Sequence, residues 1–268
     1  MIKAGVIGHP ISHSKSPIIH GYWLSHYAID GEYKAYDIPP AQLKDGIQEL
    51  VDGGLSGFNV TLPHKQNIMN FCNSITEAAQ KIGAVNTVVI DGHGKIHGDN
   101  TDAFGFTENL QDSIPDFEWA GKKALVIGAG GAARAVVYAL KSKGLADIFI
   151  ANRTEETAKE LAKAYDVQVL PWESMQTVIG STDMIVNTTS LGMVGQPPLQ
   201  ISLSGIASNT IVYDIVYNPL MTPLLQAAKQ NGANIITGIG MLLHQARPAF
   251  RAWFGTYPDV TDELMKII

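Results

Sequence analysis

The chain has 268 residues, 46% of them hydrophobic and 16% charged, which suggests one large or two medium domains with ample material for a core. The net charge of -6 argues against nonspecific nucleic-acid binding, which requires a basic surface. Cys72 is the only cysteine, so a disulfide framework is excluded and a reducing compartment is expected. Because no signal-peptide pattern or membrane-spanning apolar run is present, we expect a cytoplasmic protein.

Short apolar segments alternate with helix-like segments through the first hundred residues. Strands are predicted over residues 2–8, 32–38, 57–62 and 84–90, and the last pairs back across a turn at 91–94 as a hairpin. Helices are predicted over 18–28 and 42–51, followed by two short helices before Ile82. Ser16 and Pro17 look like a helix cap and a first helical residue. This alternation predicts an open, mostly parallel sheet with helices on both faces.

The second half repeats the alternation. After a predicted helix over 103–110 and a turn-rich crossing over 114–121, residues 122–140 read as strand, glycine turn and helix. Later strands are predicted in ADIFIANR, VQVL, DMIVNTT and TIVYDIV, with helices over 155–165 and 223–231. A last helical segment covers 239–254 and is expected to be interrupted at Pro248. The pattern indicates a second α/β unit.

The segment GAGGAA follows a predicted strand and precedes a predicted helix, and it fits the dinucleotide-binding pattern G-x-G-x-x-A. Gly128 permits the tight turn, Gly130 lets the backbone approach a pyrophosphate, and the small Ala133 allows close packing of helix on strand. The helix start offers free N–H groups to the phosphates. A plain strand-to-helix turn is the alternative.

The end of the next predicted strand indicates which dinucleotide is bound. An acidic residue there would bind the ribose hydroxyls of NAD, but the chain has Asn152, Arg153 and Thr154. An arginine with an amide and a hydroxyl suits a 2′-phosphate, so NADP is favoured over NAD. Arg153 as a plain surface arginine is the alternative, and Thr154 is also a candidate cap for the following helix.

Polar residues gather near predicted strand ends of the first half. Hydroxyls at the start of the first helix suit a small carboxylate, although Ser16 acting only as a cap is an equal alternative. The remaining candidates are Ser14, Asn59, Thr61, Lys65, Asn86, Asn100, Thr101 and Asp102. Because open α/β sheets bind ligands at the C-terminal ends of their strands, we expect these side chains to face one site. Taken alone, Lys65 is most simply a solvated lysine.

Seven segments then occur in a fixed order: SHSKSP, GFNVTLPHK, GAVNT, NTD, GAGGAA, NRT and GMLLHQA. In this order, over nearly the whole chain, they resemble the shikimate dehydrogenase family. The resemblance implies reversible NADPH-dependent reduction of 3-dehydroshikimate to shikimate, a step toward chorismate and the aromatic amino acids. It also implies a substrate domain over 1–101 completed by helices in 239–268, a Rossmann NADP domain over 102–238, and an active site in the cleft between them.

By the same resemblance, Lys65 would be the catalytic acid/base and Asp102 its partner. The substrate would be held by Ser14, Ser16, Thr61, Lys65, Asn86, Asp102, Tyr217 and Gln245. The cofactor site would be lined by Glu77, Gly128, Ala129, Gly130, Gly131, Ala132, Asn152, Arg153, Thr154, Ile215 and Gly238. The chemistry agrees, since hydride delivery to a ketone leaves a developing alkoxide that a lysine ammonium stabilises and protonates.

One position departs from the family pattern. Relatives often carry a second arginine three residues after NRT, whereas this chain has Thr157 there, preceded by Glu155 and Glu156. We therefore expect the preference for NADP over NAD to be about tenfold weaker, the value of one lost contact. Lys159 is a candidate to compensate.

Two rival functions remain open: a broader quinate/shikimate dehydrogenase able to use NAD, and a non-catalytic NADP-binding regulator on the same scaffold. None of the eight histidines has zinc-site spacing, so no metal is expected, and no G-x-S-x-G elbow indicates a serine hydrolase. We expect a small-molecule substrate as the partner, with neither nucleic acid nor membrane. A monomer and a homodimer are equally compatible with the sequence.

Overall fold

The computed structural model describes residues 1–268. Contacts between Cα atoms divide the chain into two compact units, one formed by Met1–Thr101 with Leu243–Ile268 and the other by Asp102–Leu242. None of the helices is both long enough and apolar enough to cross a lipid bilayer.

The strands, in chain order, are β1 (Ile2–Gly8), β2 (Gly31–Asp37), β3 (Gly57–Val60), β4 (Ser74–Ile75), β5 (Thr87–Ile90), β6 (Ile96–Asp99), β7 (Lys123–Ile127), β8 (Asp147–Ala151), β9 (Gln168–Val169), β10 (Met184–Asn187), β11 (Ile211–Asp214) and β12 (Asn234–Ile236). The helices are α1 (Ser16–His26), α2 (Leu43–Asp52), α3 (Glu77–Ile82), α4 (Asp102–Ser113), α5 (Gly131–Ser142), α6 (Glu155–Tyr165), α7 (Gln176–Ile179), α8 (Pro223–Gln230), α9 (Gly238–Phe254) and α10 (Asp262–Ile267). Short 3₁₀ turns cover Pro40–Gln42, Asn67–Phe71 and Trp172–Ser174.

The first unit is built on a six-stranded sheet in the order β2-β1-β3-β5-β6-β4. Strand β1 pairs in parallel with β2 and β3, and β4 pairs in parallel with β6, whereas β5 runs antiparallel to both of its neighbours. The predicted hairpin is confirmed as β5 and β6. All four residues of β3 are buried, with Phe58 fully so, because both faces of this central strand are covered.

The second unit is built on a six-stranded sheet in the order β12-β11-β10-β7-β8-β9, and every pairing in it is parallel. Counted within the unit, this is the strand order 3-2-1-4-5-6 of the Rossmann fold, read from the opposite edge. Strands β7, β10 and β11 are almost wholly buried runs of Val, Ile, Leu, Ala and Met, as parallel strands covered by helices require. Two mostly parallel α/β units are therefore confirmed.

Local predictions failed at two helix positions. Ser16 is the first residue of α1 rather than its cap, because Lys15 occupies the cap position and no side chain there accepts a capping hydrogen bond. Helix α9 continues through Pro248, whose missing N–H removes one hydrogen bond from a helix that buried Ala249 and Phe250 hold in place. The two short helices expected before Ile82 are present, as the 3₁₀ helix Asn67–Phe71 and as α3.

Candidate active site

Polar residues of the first unit gather at one edge of its sheet. Thr61 directly follows β3, and the segment Asn100–Thr101 directly follows β6. Asn86 directly precedes β5, which begins at Thr87 rather than at residue 84 as predicted. Because β5 is antiparallel to both neighbours, its start lies at the same edge as their ends, so these residues still meet.

Asn86 is the centre of a buried hydrogen-bond cluster. Its Oδ1 accepts from the backbone N–H of Thr101 at 2.9 Å and from the hydroxyl of Thr87 at 2.9 Å. Its Nδ2 donates to Oε1 of Gln245 at 3.2 Å, which joins β5 to helix α9. Asn86 is 2% exposed and Gln245 is 9% exposed. Two predicted substrate residues, 159 positions apart in the chain, are thus brought together.

The backbone of Lys65 is attached to the same edge. Its carbonyl oxygen accepts a hydrogen bond of 2.7 Å from the N–H of Val85, the residue before Asn86, and the lysine is partly buried. Thr61 is also partly buried, and its N–H donates to the carbonyl of Ile7 on β1 at 3.0 Å. The lysine is therefore not a fully solvated side chain. Its predicted roles, and those of Thr61, stay predictions.

Ser14 and Ser16 form one local turn before and at the start of α1. The N–H of Ser16 donates to Oγ of Ser14 at 3.3 Å, and Ser16 is 8% exposed. Burial raises the pKa of Tyr33, and the hydroxyl of Ser16 opposes that rise. Asp102, 6% exposed, is the first residue of α4.

In the second unit, the glycine turn has the geometry expected of a dinucleotide site. Gly128 has φ +115, a conformation that L side chains rarely adopt, and an added Cβ would crowd the hydroxyl of Thr188. An added Cβ on Gly130 would meet nothing within 4 Å, so open space lies on that side of the turn. Helix α5 begins at Gly131, and Ala133 is fully buried against the sheet. The turn and its free helix N–H groups fit a pyrophosphate.

The residues expected to select the cofactor lie next to this turn. The N–H of Gly128 donates to the carbonyl of Ala151 at 2.8 Å, so Asn152 follows β8 at the same sheet edge. Asn152 donates from Nδ2 to the carbonyl of Thr154 at 2.8 Å. This bond spans the loop between strand and helix, and Arg153, which lies between the two residues, is exposed. Thr154 occupies the cap position of α6, but its side chain accepts no capping hydrogen bond.

Lys159, the candidate to replace a missing arginine, is engaged within its own helix. Its Nζ lies 2.9 Å from Oε1 of Glu155 and 2.9 Å from Oε1 of Glu156. These two carboxylates raise the pKa of Lys159 and occupy its ammonium group. Exposed ion pairs of this kind are weak, so a bound phosphate could compete for the lysine.

Ile215 directly follows β11 and Gly238 lies two residues after β12, so the two residues come together at the edge of the sheet where parallel strands end. A Cβ on Gly238 would overlap the carbonyl oxygen of Ile215, so only glycine allows these two backbones to approach this closely. Buried Asp214 fixes the segment after β11, since its Oδ1 accepts from Nδ2 of Asn187 at 2.9 Å and from the N–H of Val216 at 3.0 Å. Tyr217 follows in this segment, and burial raises the pKa of its phenol.

Glu77 has a different environment from the other predicted cofactor residues. It is exposed, belongs to the first unit as the first residue of α3, and lies 2.6 Å from Nζ of Lys81. The hydrogen bond from Lys81 lowers the pKa of Glu77. Its contribution to cofactor binding stays a prediction.

Two residues of this region, Asn59 and Tyr33, were given no role from the sequence. Asn59 was noted within its motif but was given no role, although it lies in the buried strand β3. Tyr33 carried no signal, because an aromatic residue in a strand is ordinary. The only available signal was Asn59 itself, an amide in an otherwise apolar strand, which requires a buried partner.

A Rossmann sheet with a glycine turn in one unit, and a buried cluster of amides and hydroxyls in the other, are typical of dinucleotide-dependent α/β oxidoreductases. Comparison with models of protein families narrows this class to one family. Residues 6–88 match the shikimate dehydrogenase substrate binding domain, residues 109–194 match shikimate / quinate 5-dehydrogenase, and residues 238–262 match the shikimate 5'-dehydrogenase C-terminal domain. The chain belongs to the shikimate dehydrogenase family.

Individual proteins agree with this membership. A shikimate dehydrogenase (NADP(+)) of Methylobacterium radiotolerans is 49% identical over 266 residues, covering 98% of this chain and 94% of that protein. The shikimate 5-dehydrogenase of Thermus thermophilus, solved in complex with NADP(H) and shikimate, is 36% identical with a TM-score of 0.87, covering 97% and 95% of the two chains. The quinate dehydrogenase of Corynebacterium glutamicum, solved with NAD, is 31% identical with a TM-score of 0.92, covering 100% and 99%.

Proposed function

We propose that this chain catalyses the reversible reduction of 3-dehydroshikimate to shikimate with NADPH as the hydride donor. The observation that carries the proposal is the 49% identity, over 98% of the chain, to a protein named shikimate dehydrogenase (NADP(+)). The sites support it, because each unit holds one of the two sets of groups that this reaction needs.

Lys65 is assigned as the acid/base of this reaction. NADPH, when bound, supplies the hydride to the carbonyl carbon of the substrate. The substrate oxygen then gains negative charge, and the ammonium of Lys65 stabilises this charge and donates the proton. In the reverse direction the amine of Lys65 accepts the proton of the hydroxyl group. Asp102 is assigned to orient the lysine and to bind a neighbouring hydroxyl.

The amides and hydroxyls of the first unit suit a ring that carries several hydroxyl groups. Asn86 and Gln245 supply amides, Thr61 supplies a hydroxyl, and Ser14 and Ser16 at the start of α1 suit the ring carboxylate. An analogue without one hydroxyl would leave one of these buried groups unpaired, so the site discriminates strongly against it. Tyr217 is assigned to the same site.

The second unit is assigned to NADP. The glycine turn Gly128–Ala132 would hold the pyrophosphate, while Asn152, Arg153 and Thr154 would bind the 2′-phosphate at the end of β8. The apposed backbones of Ile215 and Gly238 would border the nicotinamide end, and Glu77 is assigned to the cofactor as well.

A broader quinate/shikimate dehydrogenase is the second candidate, favoured by the fold match to a quinate dehydrogenase solved with NAD. Its 31% identity is well below the 49% of the NADP-dependent relative, so it ranks second. A non-catalytic regulator is disfavoured, because Lys65 and Asp102 are both present. A cytoplasmic location, and a monomeric or homodimeric state, stay predictions.

One assay separates these functions. The purified protein is incubated with shikimate or quinate, each with NADP or NAD, and the reduced nicotinamide is followed by its absorbance. We expect the largest kcat/KM for shikimate with NADP. Comparable values with quinate would support the broader enzyme, and no reduction in any of the four mixtures, by a folded protein that binds NADP, would support the regulator.

A further inference from the structure

A continuous chain of buried hydrogen bonds runs through the first unit, and two of its members have no assigned role. The phenol of Tyr33 on β2 donates to Oδ1 of Asn59 on β3 at 2.7 Å. Tyr33 is 8% exposed and Asn59 is 6% exposed, so neither group exchanges this partner freely with water. Tyr33 is one end of this chain, and the hydroxyl of Ser16, a predicted substrate residue, opposes the rise in the pKa of the same phenol that burial causes.

The other end of the chain is Asn86. Nδ2 of Asn59 donates to the carbonyl oxygen of Asn86 at 3.2 Å and to the hydroxyl of Thr87 at 3.2 Å. That hydroxyl in turn donates to Oδ1 of Asn86 at 2.9 Å. Because the Thr87 hydroxyl accepts from Asn59, its own proton is directed to Oδ1 of Asn86, so Asn59 supports the orientation of the Asn86 amide through Thr87.

The orientation of Asn86 also sets that of Gln245. With Oδ1 of Asn86 held by Thr87 and by the N–H of Thr101, its Nδ2 side faces Gln245 and donates to Oε1. A flipped amide at Asn86 would place two acceptors opposite each other there. The Asn59 bonds, acting through Thr87, and the N–H of Thr101 therefore favour the same orientation of the Asn86 amide.

The ring of Tyr33 has little freedom to move. The imidazole of His20 stacks on it with ring centroids 4.0 Å apart and an interplanar angle of 7°, and the indole of Trp253 lies 6.0 Å away. Neither ring nitrogen of His20 has a hydrogen-bond partner, so this residue contributes packing to the network and no hydrogen bond. The phenol oxygen is consequently fixed in place by the rings around it.

Stability alone does not explain this arrangement. The neighbours of Asn59 in β3 are Phe58 and Val60, both buried, and an apolar side chain would also suit this strand. Buried polar networks are often no more stabilising than apolar packing, but they specify one arrangement of their members. Here the network ends at Asn86 and Gln245, two residues that a substrate would touch.

We propose that Tyr33 and Asn59 are positioning residues for shikimate, which help to hold Asn86 and Gln245 in the donor and acceptor arrangement that the substrate requires. The assignment rests on the proposed function. Neither residue needs to touch the substrate, because each acts through the groups that do.

The decisive variant is Tyr33→Phe, which removes one hydroxyl and keeps the ring. Shikimate binding is measured by titration calorimetry without cofactor, so that no turnover is needed. We expect the dissociation constant for shikimate to rise about tenfold, the effect of leaving one buried acceptor unpaired. We also expect the dissociation constant for NADP to stay within about twofold of the wild type, because the NADP site lies in the other unit.

The matched control is Tyr213→Phe in the second unit. Tyr213 is fully buried and its phenol oxygen also pairs with an amide, accepting from Nδ2 of Asn109 at 2.6 Å. Removing this hydroxyl has a comparable effect on folding but should leave shikimate affinity unchanged. If both variants weakened shikimate binding equally, the effect would come from a general loss of stability, and the assignment would be overturned.

A double variant, Tyr33→Phe with Asn59→Leu, separates positioning from stability. Replacing both members of a buried pair by apolar groups is often nearly neutral for folding. We expect a melting temperature closer to the wild type than that of Asn59→Leu alone, with shikimate affinity still reduced. Wild-type shikimate affinity in this folded double variant would overturn the assignment.

A further readout is the discrimination among analogues of shikimate that each lack one ring hydroxyl. In the wild type, the analogue without the hydroxyl that meets Asn86 should bind much more weakly than shikimate. In Tyr33→Phe this ratio should shrink by several-fold, because one of the hydrogen bonds that support the orientation of the amide is lost. An unchanged ratio would overturn the assignment even if overall affinity fell.

The same experiment separates this assignment from the proposed function. A wild-type protein that binds NADP but not shikimate would overturn the proposed function, and the positioning assignment with it. A wild-type protein that binds shikimate, together with a Tyr33→Phe variant that binds it equally well, would overturn only the assignment.

Discussion

The imidazole of His20 lies face to face with the phenol of Tyr33, with the two ring centroids 4.0 Å apart. Trp23, Phe250 and Trp253 surround the same histidine, which is completely buried. Burial lowers the pKa of His20 from 6.5 to about 3, against a smaller opposing contribution from Asn59. The folded protein therefore holds this ring neutral down to about pH 3.

His20 should make the folded protein sensitive to mild acid. Below pH 6.5 the unfolded chain gains a proton at His20 and the folded chain does not, so stability falls with pH by about 1.4 kcal/mol per unit until the folded pKa near 3 is reached. Urea unfolding of wild type and His20→Phe, at about pH 7 and about pH 5, measures this. We expect the variant to lose about 2 kcal/mol less than the wild type over that interval.

The control for this measurement is His93→Gln, since His93 is exposed in the turn between β5 and β6. His93→Gln should leave the pH dependence of the free energy of unfolding as in the wild type. Parallel pH profiles for wild type and His20→Phe would contradict the role of the buried histidine.

Lys65→Ala should remove most of the catalytic rate while retaining much of the substrate binding. Proton transfer by a positioned group contributes roughly a hundred- to ten-thousandfold to rate, so kcat for shikimate oxidation should fall by about that factor. The KM for shikimate should change far less. Lys95→Ala, at an exposed lysine before β6, is the control and should behave as the wild type. A near-normal kcat in purified Lys65→Ala protein would refute the acid/base assignment.

Thr157→Arg should strengthen the preference for NADP. The substitution introduces a second guanidinium near Arg153, and one charge-assisted contact to the 2′-phosphate corresponds to at least about tenfold in affinity. The ratio of kcat/KM with NADP to kcat/KM with NAD is the measured quantity. Thr157→Gln, with a long neutral side chain, should leave that ratio unchanged.

Lys159→Ala provides the complementary measurement. Because Glu155 and Glu156 already bind the ammonium of Lys159, its removal should lower the NADP-to-NAD ratio by less than about tenfold. A larger drop would mean that the lysine leaves its carboxylate partners and carries the function of the missing arginine.

Gly238→Ala should weaken cofactor binding selectively. The new methyl group would overlap the carbonyl oxygen of Ile215, so the start of α9 must move away from the end of β11. We expect the dissociation constant for NADP to rise at least about tenfold, which corresponds to the loss of one favourable contact between protein and cofactor. Gly21→Ala is the control, because an added Cβ there meets nothing within 4 Å. NADP binding by Gly238→Ala at wild-type affinity would exclude the proposed location of the nicotinamide end.

Local patterns in the sequence predicted most of the framework correctly. The apolar strand before Gly128, the glycines themselves and the helix after them predicted the turn, because these features depend on residues close together in the chain. Boundaries were less accurate where tertiary packing overrode local signals. Pro248 should end a helix in isolation, yet the buried residues after it keep α9 continuous.

The sequence by itself determined the two α/β units, the dinucleotide turn and the set of polar residues from which an active site could be built. Only the tertiary structure decided how those residues orient one another. Tyr33 reaches Asn59 across 26 positions, and Asn86 reaches Gln245 across 159. A hydrogen bond requires two groups to meet within about 3 Å at a defined angle. No periodicity or motif encodes such a meeting, because it depends on how strands and helices pack.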